Sequence, residues 1–218
     1  MTIAPLLLGL LLPAQRSLLI KARSGDTARY EIKMIFDDGG QKLEMSGRAE
    51  DRITKVDENG NLTNEHLLGA VKFKVDGQEV DVSDSKKQVT ILKPTGEIVE
   101  LVGGSSKEAR FVYATMIVVP PNPVKDGESW SFQLSPKGGI AIKQEYTAVV
   151  AEKIGTYEAM KVRIKSWEVS GSKPIRAEGT VWLSLTDGRL VKQELNVEGV
   201  PMGEEGKPTK LTLLVMRM

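Results

Sequence analysis

Three prolines, Pro120, Pro121 and Pro123, fall in the stretch 118–130, VVPPNPVKDGESW, and they constrain this chain more than any other feature. Proline cannot donate to a sheet ladder or continue a helix, and it biases the residue before it toward extended backbone. Asp126-Gly127 then offers a turn, and Trp130 opens a new apolar run. Strand-like sequence flanks this stretch on both sides, so it reads as a hinge between two β halves, residues 16–117 and 131–218, that form one structural unit.

The first half alternates. Ala28, Tyr30, Ile32, Met34 and Phe36 face one way and Arg29, Glu31 and Lys33 the other, the period of a strand with one wet face. After Asp37-Asp38-Gly39-Gly40, residues 41–56 return with Leu43, Met45, Ala49 and Ile53 in register. Asp51 falls on that apolar face, where an unpaired charge is costly, and a bulge turning it outward is expected. Asn59-Gly60 predicts a tight hairpin turn. A third strand carries Leu67, Val71, Phe73 and Val75 and ends at Asp76-Gly77, and residues 88–92 and 97–102 form another pair.

Residues 105–117 break the pattern. Ser105 and Glu108 have capping-box spacing, and Phe111, Ala114, Thr115 and Val118 recur at helical intervals, so one helix is expected against the sheet. Beyond the hinge alternation resumes: Trp130, Phe132 and Leu134; Ile140 to Ile154; Tyr157 to Val169; Ile175 to Leu185; Leu190 to Val200; and Leu211 to Met218. Asp187-Gly188 is a second tight turn. Trp167 and Trp182 fall out of register with their apolar neighbours, as rim residues or at a bulge. The expected fold class is mainly β: an antiparallel meander forming an open half-barrel or a two-sheet clam, with one helix near the middle.

Bulk numbers narrow the function. With 218 residues, Lys+Arg 30 against Asp+Glu 29 leaves a net charge of +1, so no whole-chain field favours nucleic acid. Cysteine is absent, which removes disulfides, thiolate metal sites, a cysteine nucleophile and a lipid-modified cysteine anchor. Residues 3–12 are nearly all apolar and Arg16 closes the run, which reads as a signal peptide over 1–15. The run is short of the ~20 residues of a transmembrane helix. An exported chain in the periplasm or outside the cell is expected, with a buried N-terminal strand or helix as the alternative.

Motifs of common chemistry are missing: no G-x-S-x-G, H-E-x-x-H, Walker loop or G-x-G-x-x-G occurs. His66 is the single histidine, so a triad or metal site would lack a second imidazole, and a structural role fits it better. Ser83 and Lys86 have Ser-x-x-Lys spacing, but their flanks read as a loop between strands. Asp57, Asn59 and Asn61 mimic the start of a calcium loop, yet Gly60 comes two positions early, and a hairpin explains them. No enzyme, cofactor or metal is expected. The remaining signal is a broad apolar face carrying Tyr30, Met34, Phe36, Met45, Phe73, Trp130, Tyr146, Met160 and Trp182. It is either a filled core or the lining of a cavity for a chain-like ligand.

Residues 179–199, GTVWLSLTDGRLVKQELNVEG, resemble the strand–turn–strand of bacterial lipoprotein-sorting proteins of the LolA and LppX type. PPNPVKDGESW with residues 155–169 is similar to a group of secreted bacterial domains of unknown function. The first resemblance implies an open half-barrel sheet with helices over its concave side, and carriage of lipid or acyl chains. The chain departs from that pattern in offering one helix. The expected function is therefore an exported, non-enzymatic binder of a lipid or other hydrophobic ligand in a curved antiparallel sheet; the alternative is a cell-envelope interaction module whose core is filled and whose partner is a protein.

Overall fold

The computed structural model describes residues 14–38, 41–75, 78–82, 86–103, 105–136, 139–202 and 207–218. The run 3–12, Ser83 of the Ser-x-x-Lys spacing, and the turn residues 39–40 and 76–77 lie outside them. Among the described residues twelve strands form a single antiparallel sheet that does not close on itself, with one helix. The first meander comprises β1 (Thr27–Asp38), β2 (Gln41–Val56), β3 (Leu62–Val75), β4 (Gln78–Val82), β5 (Lys86–Leu92) and β6 (Ile98–Val102). After α1 (Ser106–Thr115) come β7 (Ser129–Leu134), β8 (Ile142–Ile154), β9 (Tyr157–Glu168), β10 (Arg176–Ser184), β11 (Leu190–Met202) and β12 (Lys207–Arg217).

The strand order is β6-β5-β3-β2-β1-β12-β11-β10-β9-β8-β7, with β4 paired to β3. The two meanders thus meet in the middle, where β1 pairs with β12 from Tyr30 opposite Arg217 to Asp37 opposite Lys210. Residues 103–128 run from one sheet edge at β6 to the other at β7. The prolines are accommodated there because this crossover carries no ladder. Strand β4 escaped the sequence reading: QEVDV has two apolar residues, too few to show alternation.

Helix α1 forms where expected. The Ser105 side chain accepts from the Glu108 N–H while the Glu108 carboxylate accepts from the Ser105 N–H, closing the capping box. Its apolar stripe, Phe111 and Ala114, enters the main core with Val119 and Val124 from the crossover and Leu18 from the N-terminal strap. The face that receives them is the inner face. Alternation along β9 shows the split: Met160, Val162 and Ile164 are buried, whereas Arg163 and Lys165 are exposed.

The sheet is strongly curled. The Ile20 N–H donates to Pro94 O in the β5–β6 turn, and the next residue, Lys21, donates to Asp187 O in the β10–β11 turn. In a flat sheet the five interstrand steps from β5 to β11 would separate those turns by about 24 Å, at ~4.8 Å per step. Adjacent residues of one strap span them here. Val119 N–H also donates to Thr95 O, and Arg16 and Val124 exchange both backbone hydrogen bonds, so strap and crossover lie together over this end of the inner face.

Candidate functional site

One register row crosses the inner face. In space it runs Trp130, Tyr146, Ile164, Gly179, Leu195, Leu213, Met34, Met45, Phe73, Val80, each paired to the next across a ladder. The structure therefore brings together five of the expected lining residues: Met34, Met45, Phe73, Trp130 and Tyr146. Tyr30 and Phe36 flank Met34 on the same face of β1, and both are buried. Met160 lies on the inner face of β9 opposite Leu183.

The two ends of the row differ. At the β7–β10 end the space is filled. Trp130 stacks on Tyr146 at 5.2 Å, Tyr146 is 2% exposed and Met160 0%. The Tyr146 hydroxyl donates to Gln144 Oε1 at 2.8 Å and accepts from Val118 N–H at 2.9 Å, while Trp130 Nε1 donates to Val118 O. Burial pushes the Tyr146 hydroxyl far above its ordinary range, so it stays a neutral donor. Gln144 Nε2 donates to Tyr113 O and Met116 O, and Gln193 Nε2 to Thr115 O, satisfying carbonyls at the end of α1. Sequence reasoning missed these glutamines. Their signal was a polar residue in phase with apolar ones on β8 and β11.

The main strand contacts of α1 are to β9 and β10, away from the β1–β4 end of the row. Met34, Leu43, Met45 and Phe73 are only partly buried, and Val80 is exposed. That is the open floor of the sheet.

Trp182 stands apart from this face. It lies on the outer face in a small cluster with Ala159 and Val191, its indole N–H donates to Glu152 Oε1 at 2.5 Å, and Lys161 and Lys192 sit over its ring. Neighbouring strands place those cations opposite it, and an outward tryptophan covered by lysine stems needs no rim. Trp167 also faces outward, beneath Lys143.

Asp51 corrects a second expectation. The bulges on β2 fall at Gly47/Ala49 and Ile53/Lys55, and Asp51 stays on the inner face opposite His66. Its Oδ1 is 2.7 Å from His66 Nδ1, so the charge is partnered in place rather than turned away. Asp57 spends its carboxylate on the β2–β3 turn, accepting from the N–H groups of Asn59 and Asn61 and from Asn61 Nδ2. These bonds, the one from Asn61 Nδ2 foremost, hold the Asp57 carboxyl below the usual carboxylate range. Among the described residues no group of His, Asp and Glu is placed to hold a metal.

A groove of about 680 Å3 lies on the outer face, between charged side chains such as Glu31, Lys33, Arg48, Lys72, Lys192 and Glu194. Ion pairs Lys33–Glu44 and Lys192–Glu194 run over it, and it reads as a solvated saddle of the curled sheet. A cavity of about 190 Å3 lies on the inner side beneath the strap.

No family model and no curated protein matches the chain. Among solved structures, an exported-protein candidate with a YmcC-like fold from Bacteroides fragilis is 11% identical, with a TM-score of 0.37 over 94% of this chain and 100% of that one. A lipoprotein candidate from Parabacteroides distasonis is 15% identical, with a TM-score of 0.37 over 94% and 100%. The hypothetical lipoprotein YmcC from Escherichia coli is 10% identical, with a TM-score of 0.31 over 88% of each chain. Likeness at this level defines neither a family nor a function.

Proposed function

We propose that this is an exported, non-enzymatic protein of the periplasm or extracellular space that seats a lipid or other hydrophobic ligand on its curled sheet. The observation that carries the reading is the contrast within one register row: covered and filled from Trp130 to Leu213, open at Met34, Met45 and Phe73. Unbranched methionine and an aromatic ring suit an irregular aliphatic chain. Export is supported by the apolar run before Arg16. No described helix is long and apolar enough to cross a membrane.

Titration of the protein with a fluorescent long-chain fatty acid tests the seat. Saturable binding at one equivalent is expected, and a signal that never saturates would reject it.

A second reading is a cell-envelope interaction module without a ligand. It is supported by Val80 on β4 and by Val99 and Val102 on the edge strand β6, which are 47–55% exposed. Apolar side chains on an edge strand invite pairing with another chain. Under that reading the fatty acid does not bind, and charged substitutions at Val99 and Val102 abolish association with an envelope partner.

A further inference from the structure

The cavity beneath the strap has mostly apolar walls, among them Leu18, Ile53, Ile117 and Leu190. Its charge is unexpected. Arg189, in the β10–β11 turn, lines it and is 8% exposed. A guanidinium carries five N–H donors. Among the described residues the side chain makes one hydrogen bond, Nη2 to Asp51 O at 3.3 Å, the long end of the useful range, and no ion pair. Nearby carboxylates are otherwise engaged: Asp187 pairs with Arg217 at 2.9 Å and Asp51 with His66. A buried cation short of partners is costly unless something in the cavity supplies them.

Two more polar atoms line the same space. Thr95 Oγ1 and Asn64 Oδ1 are buried without a hydrogen-bond partner. The threonine hydroxyl can donate, and the Asn64 amide, turned over, would present its N–H groups as well. The donor set thus includes one forked cation and two unpartnered neutral groups, with the Tyr30 side chain in the same, mostly apolar, wall. The volume equals about six waters at ~30 Å3 each, room for a small amphiphile.

We propose that this cavity binds a small aliphatic monocarboxylate, its carboxylate paired with the Arg189 guanidinium and its tail among the strap and sheet side chains. The planar fork matches a carboxylate in two-point geometry. Asp51 shares the wall and fixes the side from which the anion is repelled. This site is separate from the open floor at Met34, Met45 and Phe73.

Isothermal titration of the full chain with hexanoate, against hexan-1-ol and hexylamine as matched probes without the anion, tests it. Hexanoate is expected to bind at one equivalent and at least tenfold more tightly than either control. Arg189→Gln should weaken hexanoate at least tenfold and leave hexanol unchanged. If that variant does not fold, the comparison of the three probes on the unmodified protein decides, and Thr95→Val should weaken hexanoate severalfold. Equal binding of hexanol and hexanoate overturns the proposal by showing an apolar cavity alone. No binding of hexanoate overturns it too, as a cavity that holds only water. Hexanoate failing while the long-chain probe binds removes this site and leaves the proposed function standing.

Discussion

Arg110 on α1 grips Glu168 on β9 through two parallel hydrogen bonds, Nε to Oε1 at 2.7 Å and Nη2 to Oε2 at 2.6 Å. The carboxylate is fully buried, while the arginine side chain is 27% exposed. Glu168 Oε2 also accepts from the Ile175 N–H at 2.7 Å, so one side chain ties the helix to the β9–β10 connection. The asymmetry in burial predicts an asymmetry in cost. Arg110→Ala strands an uncompensated buried charge and should destabilise by about 3–5 kcal/mol. Glu168→Ala leaves a cation that can reach water and should cost about 2–3 kcal/mol. Denaturant midpoints of the two variants check the order, and a larger loss in Glu168→Ala contradicts it.

Gly60 and Gly188 both hold positive φ, +79° and +69°, as their turn dipeptides predict. Their surroundings differ. A Cβ on Gly60 would meet nothing nearer than Pro94 Cγ at 3.9 Å, whereas one on Gly188 would lie 2.1 Å from Leu19 O in the strap. Gly60→Ala should therefore cost about 1 kcal/mol, the backbone penalty alone. Gly188→Ala adds a backbone clash and should cost about 2–4 kcal/mol. Limited proteolysis should also cut within residues 16–24 faster in Gly188→Ala, since relief of the clash lifts the strap.

Acid stability should depend on Asp187. Burial alone would raise its pKa, but hydrogen bonds from Arg217, the Arg189 N–H and Ser184 outweigh it and hold the carboxyl below the usual range. A depressed folded-state pKa contributes stability above the unfolded-state value, near ~3.9, and loses it as pH falls through the folded value. The stability gap between the unmodified protein and Asp187→Asn should stay flat from about pH 8 to 5 and close below about pH 4. Equal urea midpoints at neutral pH would rule this out.

Period-two alternation marked the strands well because each has one wet face, and β2 has the bounds its residues suggest. The capping box at Ser105 and Glu108 located α1 for an equally local reason. The sheet order was not legible. Nothing within β1 says that it pairs with β12, from the far end of the chain. Nor could alternation say how much of the inner face would be covered. It grouped Met160 with Met45, and only the path of the crossover separates a filled end from an open one. Arg189 reads as an ordinary turn cation, and it is buried because the strap, far away in sequence, passes over its turn.

The contrast between Met160 and Met45 gives the sharpest test of the proposed ligand seat. Both are methionines on the inner face, but Met160 is 0% exposed and Met45 only partly buried in the row that ends at Val80. Replacing Met160 with Trp adds bulk where none fits and should cost about 1–3 kcal/mol. Replacing Met45 with Trp puts the indole into open space, so the denaturant midpoint should hold to within about 0.5 kcal/mol. If the floor seats an aliphatic chain, Met45→Trp should abolish binding of the fluorescent fatty acid while the fold survives. Met160→Trp, examined where it remains folded, should still bind it. A Met45→Trp protein that binds the probe as tightly as the unmodified chain places the ligand elsewhere. A Met45→Trp protein as destabilised as Met160→Trp shows instead that the floor is packed, and the interaction module is then the better reading.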